Sequence, residues 1–135
     1  MNYEGHGNIR VRAYMASGAL PVENVLVKIY GADDYNKDVK HSLLTDSNGI
    51  TKTITLPAPP VEYSTSPGAK ESPYAVYNIE LAKETYYPKR IYNVPIFSGT
   101  TAVLPIEMVP IAYAENGEIM VRDNLNSVIY ENENL

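Results

Sequence analysis

In four separate stretches of this chain, apolar side chains recur at every second residue: Ile9, Val11, Ala13 and Met15; Val25, Val27 and Ile29; Ala75, Tyr77, Ile79 and Leu81; Ala102, Leu104, Ile106 and Met108. A period of two places each set on one face of an extended strand, whereas a helix repeats its apolar face at intervals of three and four. Each stretch therefore reads as a strand with one face in a core and the other toward solvent. Such strands bury nothing alone, so they have to be stacked sheet against sheet.

Between these stretches the punctuation is that of short strands and turns. "KHSLLTDSNGITKTITL" suggests a strand through Leu43 and Leu44, a polar turn at Asp46-Ser47-Asn48-Gly49, and a returning strand through Ile50, Ile54 and Leu56. Asn and Gly tolerate left-handed turn geometry and Asp accepts local backbone hydrogen bonds, so a tight hairpin is the expectation here. Residues 57–73, "PAPPVEYSTSPGAKESP", hold five prolines and no apolar alternation, which marks an ordered surface loop or a mobile excursion. Near Pro88 and Pro95 the ladder has to give way to an edge, bulge or turn, because proline has no N–H to donate. Seven candidate strands result, and the expected fold is an all-β, antiparallel, seven-stranded Greek-key sandwich with accessory C-terminal strands. The division is residues 1–8 as an N-terminal segment, 9–110 as the sandwich and 111–135 as the accessory segment.

A chain of 135 residues can bury one substantial core without help from disulfides or metals. Its 44% apolar and 20% charged residues fit a folded protein, and with no cysteine neither a thiolate site nor a disulfide framework is available. No apolar run approaches the roughly 20 residues that span a bilayer, and the opening "MNYEGHGNIR" does not read as a secretory signal. The net charge of -5 is concentrated late: residues 111–135 carry five acids against one base. No basic path for phosphates exists, which argues against a nucleic-acid partner.

The run "GNIRVRAYMASGALPVENVLVKIYG", followed by "LLTDSNGITKTITLPAP", "YAVYNIELAKETYYPKRIYNVPIF" and "TAVLPIEMVP", resembles the carboxypeptidase regulatory-like family of transthyretin-like, or prealbumin-like, β-sandwich domains. The resemblance covers residues 7–110 and implies a scaffold more than a reaction. It points toward bacterial surface or spore-associated proteins. Enzymes on related scaffolds are matched poorly. Transthyretin-like hydroxyisourate hydrolases use paired histidines with arginine and a Tyr-Arg-Gly-Ser ending, whereas this chain has His6 and His41 and ends "YENENL". Intradiol dioxygenases place two histidines and two tyrosines around iron, and no matching ligand pattern surrounds either histidine here.

The remaining polar groups read as ordinary surface. Asp33, Asp34 and Asp38, or Asp46 with Asn48, offer oxygen ligands for calcium but lack the later glutamate of a helix-loop-helix site. Ser64, Thr65 and Ser66 have no evident base and orienter. The sequence therefore suggests a chain with no cofactor and no metal that is not an enzyme. Two functional classes stay open: a structural or assembly protein that forms homo-oligomers through sandwich edges and terminal segments, and a recognition module for a cell-wall glycan, a peptide or a protein. The candidate interaction residues are Tyr3, Tyr63, Tyr86, Tyr87, Phe97, Ile119, Val121 and Tyr130, because aromatic rings stack on sugars and also anchor protein contacts. Tyr74, Tyr77 and Tyr92 are expected to pack within the scaffold, and Tyr63 and Tyr87 to be exposed. The runs around Ile119–Val121 and Val128–Tyr130 suggest a local hairpin or strand exchange between subunits.

Overall fold

The computed structural model describes residues 3–16, 18–61 and 73–113, with the short segments 119–120 and 129–132. Two sheets pack face to face. β1 (Gly5–Met15) is the centre of the first, and its alternation leaves Ile9, Val11 and Ala13 fully buried. On one side β1 pairs in parallel with β8 (Thr100–Glu107). On the other, three segments succeed one another. β5 (Ile54–Ala58) pairs antiparallel along residues 5–9, the 49–51 stretch bonds to Val11 and Ala13, and β2 (Leu20–Pro21) pairs with Tyr14 and Met15. β11 (Ile129–Asn132) pairs antiparallel with the far side of β8.

The second sheet has the order β4 (Lys40–Leu44), β3 (Leu26–Gly31), β6 (Ala75–Ala82), β7 (Lys89–Ile96), every ladder antiparallel. Val27 and Ile29 from β3, Ala75, Tyr77, Ile79 and Leu81 from β6, and Val94 and Ile96 from β7 join the first sheet's Ile9, Val11, Leu56, Leu104 and Ile106 in one core. The all-β sandwich expected from the alternation is what forms. Among the described residues no helix is long and apolar enough to cross a membrane.

Three local expectations are corrected. The Asp46–Gly49 turn forms, with Asp46 Oδ1 accepting the N–H of Asn48 at 2.8 Å and of Ile50 at 3.1 Å, but it closes no hairpin. Its flanking strands, β4 and β5, lie in opposite sheets, so the turn carries the chain across the sandwich. Local turn chemistry is the same in both cases; the register of the distant strands decides between them. Gly49 is required there: its φ is +75°, and a side chain would run into the carbonyl oxygen of Ala13 and into Pro21.

Second, the two C-terminal runs do not pair with each other. β10 (Ile119–Met120) pairs with β9 (Ala112–Tyr113), while β11 covers the edge that β8 would otherwise leave open. Third, Tyr92 is 60% exposed and does not pack within the scaffold. Between the pairs Tyr77–Val94 and Ile79–Ile91, β7 has two residues where β6 has one. The extra residue is accommodated with Asn93 at φ +59°, its N–H held by Asn78 Oδ1 at 2.9 Å. This bulge reverses the alternation, turning Tyr92 outward while Ile91 stays packed against the core.

Where the chain crosses between sheets, buried threonines satisfy the backbone. Thr45 Oγ1 accepts the Val25 N–H at 2.9 Å and donates to the Val22 carbonyl at 2.7 Å; Thr51 Oγ1 accepts the Val11 N–H at 3.0 Å. Replacing Thr45 by valine removes both contacts and leaves a buried donor and acceptor unmatched, at a cost of about 1–3 kcal/mol, with Thr45→Ser milder because it keeps the hydroxyl. Ile79→Ala opens a cavity in the core and is expected to cost about 2–5 kcal/mol. Urea unfolding of the three variants checks both the magnitudes and the order of the threonine pair.

Candidate interaction surface

The aromatic candidates fall at opposite ends of the sandwich. At one end, Tyr3 donates to Asp33 Oδ2 at 2.6 Å and stands against the Tyr35 ring at 5.5 Å. Asp33 also accepts the N–H groups of Val76 at 3.0 Å and Tyr35 at 2.9 Å. Asn36 completes the knot, its Oδ1 accepting the Asp33 N–H at 2.9 Å and its Nδ2 donating to the Val76 carbonyl at 3.0 Å. Phe97 lies at this same end, packed on Tyr74 at 5.4 Å. This knot was not legible in the sequence, where Asp33 reads as one of several rim acids.

Tyr86 and Tyr87 sit at the other end, beyond the start of β7. Tyr86 is half-buried, bridges to Pro110 and donates to Met15 Sδ at 3.5 Å. The Tyr87 N–H donates to the Val109 carbonyl at 2.9 Å, and its side chain is half-buried rather than exposed. The length of β7 separates this pair from Phe97 by about 25 Å at the usual strand rise. Tyr3 and Phe97 are thus brought together, Tyr86 and Tyr87 are brought together, and no single platform contains all four. Ile119 and Tyr130 belong to the backbone of β10 and β11. Tyr63 and Val121 lie outside the described residues.

The histidines are also apart. His6 lies within β1, opposite Pro57, and His41 within β4 of the other sheet, opposite Ile29. Among the described residues no three His, Cys, Asp or Glu side chains gather as a metal-binding group. Asp46 is used by its own turn and Asp33 by the knot.

What the fold does present is an open strand edge. β4 is the last strand of its sheet. The Gly31 N–H donates to the Val39 carbonyl and the Thr45 N–H to the Val25 carbonyl. Antiparallel alternation then turns the backbone groups of His41 and Leu43 toward β3 and those of Lys40, Ser42 and Leu44 away from it. Beside this edge Leu44 is 60% exposed, and its cross-strand partner Leu26 is 36% exposed. Two open grooves flank the strand. One, of 380 Å³, is lined by Leu26, Ser42, Leu43, Leu44 and Lys52; the other, of 370 Å³, includes Lys28, Tyr30, Lys40 and His41. The edge strands elsewhere are blunted: β5 contains Pro57, and β7 contains Pro95, the bulge and the cations Lys89 and Arg90.

No protein-family profile matches the chain, and no curated protein matches it. Among solved structures it is similar to 3-chlorocatechol 1,2-dioxygenase from Rhodococcus opacus 1CP, at 15% identity and a TM-score of 0.46, over 79% of this chain and 60% of that one. This chain therefore spans less than two thirds of that protein's length. The expectation of a chain that is not an enzyme is corrected at this point. The matched structure is an enzyme, so the scaffold gives no ground for excluding catalysis, and the exclusion is withdrawn. Its weakness is physical: it rests on missing contiguous motifs, whereas sandwich loops bring together residues distant in sequence. The likeness is too remote to assign a reaction.

The phenols of the knot end generate a pH prediction. Burial pushes the Tyr77 hydroxyl, which donates to the Pro57 carbonyl at 2.6 Å, from 10.0 up to about 12; burial and then Asp33 raise Tyr3 as well. The folded state therefore holds these protons more tightly than the unfolded chain. Their contribution is fully present below the ordinary tyrosine range and is lost as pH rises from about 10 toward 12. Urea midpoints measured across that window are expected to fall, and Tyr77→Phe is expected to flatten the fall while lowering the starting stability.

Proposed function

We propose that this chain is an assembly unit, built on a transthyretin-like scaffold of the carboxypeptidase regulatory-like kind, that joins its neighbours by strand addition at sandwich edges. The scaffold reading is supported by the distribution of the body strands. β5, β1 and β8 lie in one sheet and β4, β3, β6 and β7 in the other, with the opening strand central and parallel to the late strand β8.

The assembly reading is carried by the β4 edge. Three residues turn N–H and C=O groups away from the sheet, no proline interrupts them, and exposed Leu44 and Leu26 lie beside them. An incoming strand gains main-chain hydrogen bonds there, each worth a net ~1 kcal/mol, together with apolar cover for the two leucines.

Ser42 provides the test. Its N–H faces away from β3, so Ser42→Pro keeps the internal ladder and removes only an outward donor. Sedimentation velocity over a wide concentration range is expected to show concentration-dependent species for the full chain, weakened by at least about tenfold in Ser42→Pro. A full chain that stays monomeric at every concentration, or one whose association ignores Ser42→Pro, would count against this reading.

A further inference from the structure

The β4 edge has a chemically matched counterpart elsewhere on the same molecule. Among the described residues, β11 pairs with β8 alone and ends the first sheet. The Met108 N–H donates to the Tyr14 carbonyl, which sets the alternation along β8: Ala102, Leu104 and Ile106 bond toward β1, and Thr101 and Val103 toward β11. Thr101 and Val103 stand opposite Glu131 and Ile129. The backbone groups of Tyr130 and Asn132 therefore face outward, as those of Lys40, Ser42 and Leu44 do on β4. Neither open edge contains proline.

Charge separates the possible pairings. The grooves along β4 include Lys28, Lys40, His41 and Lys52, and no acid lines either of them. β11 contains Glu131, and Glu133 follows it directly in the sequence. Two β4 edges brought together set lysines against lysines, and two β11 edges set glutamates against glutamates. β4 against β11 sets cations against anions, with like charges kept apart.

We infer that the β11 edge of one copy adds to the β4 edge of a second copy, an acidic strand on a basic one, so that each molecule has one donor edge and one acceptor edge. The inference rests on the assembly reading and specifies which edges carry it. Because the two edges differ and lie in different sheets, the contact is heterologous, and repetition gives a ring or an open filament rather than a two-fold dimer.

Two charge-reversed variants test it: Lys40→Glu with Lys52→Glu, and Glu131→Lys with Glu133→Lys. Each alone is expected to associate about tenfold more weakly than the wild type in low salt, and an equimolar mixture of the two to recover association, since each supplies the edge the other needs. In the wild type, amide exchange at high against low concentration is expected to show new protection at Lys40, Ser42, Leu44, Tyr130 and Asn132, a readout that holds even where a variant folds poorly. Association of the wild type that ignores the Glu131→Lys, Glu133→Lys pair, a mixture that fails to recover, or protection confined to other strands overturns this seam and leaves the assembly reading standing. A wild type monomeric throughout overturns both.

Discussion

Everything in this sandwich is organised around a strand that is hydrogen-bonded along both sides. β1 has β8 on one flank and β5, the 49–51 stretch and β2 in succession on the other, so the first sheet has no continuous second strand there. Three separate pieces of chain are aligned by one. The crossing at Asp46–Gly49 is possible because Gly49 lets the turn lie directly against the Ala13 carbonyl. Thr45 and Thr51 return hydrogen bonds to backbone groups that the change of sheet would leave dry. The core residues then occupy positions that this framework fixes, and the polar knot of Tyr3, Asp33 and Asn36 ties one end of it.

How much of this was legible follows from how local each determinant is. The alternation at Ile9, Val11 and Ala13, at Val27 and Ile29, and through Ala75 to Leu81 depends only on neighbouring residues, and all of those side chains are buried. Tyr92 defeats the same logic because one inserted position at Asn93 reverses the faces, and nothing in "RIYNVPIF" states that the partner strand is one residue short. The Asp-Ser-Asn-Gly stretch was readable as a turn but not as a crossing. The aromatic cluster looked continuous because Tyr86, Tyr87 and Phe97 are close in sequence; an eight-residue strand between them carries them to opposite ends.

Edges are the least readable feature of all. Whether "KHSLL" lies inside a sheet or at its rim depends on which strand arrives beside it, and that is decided by residues far away. Composition gives a partial signal, since Pro57 and Pro95 do fall on peripheral strands. The polarity of the molecule, basic along β4 and acidic around β11, emerges only once the topology has been laid over the charge sequence.

The parallel ladder between β1 and β8 also has a consequence for the order of events during synthesis. Residues 8–14 need residues 101–107 as neighbours, so the central strand is made early and completed late. At ~5–20 residues per second a ribosome takes roughly 5–20 s to deliver the second partner after the first. Throughout that interval one flank of β1 is an unpaired strand edge with Ile9, Val11 and Ala13 beside it. Contacts of such long sequence separation also close slowly in free solution. The nascent chain is therefore most vulnerable to mispairing while its best-ordered strand in the finished fold is still waiting for its neighbour.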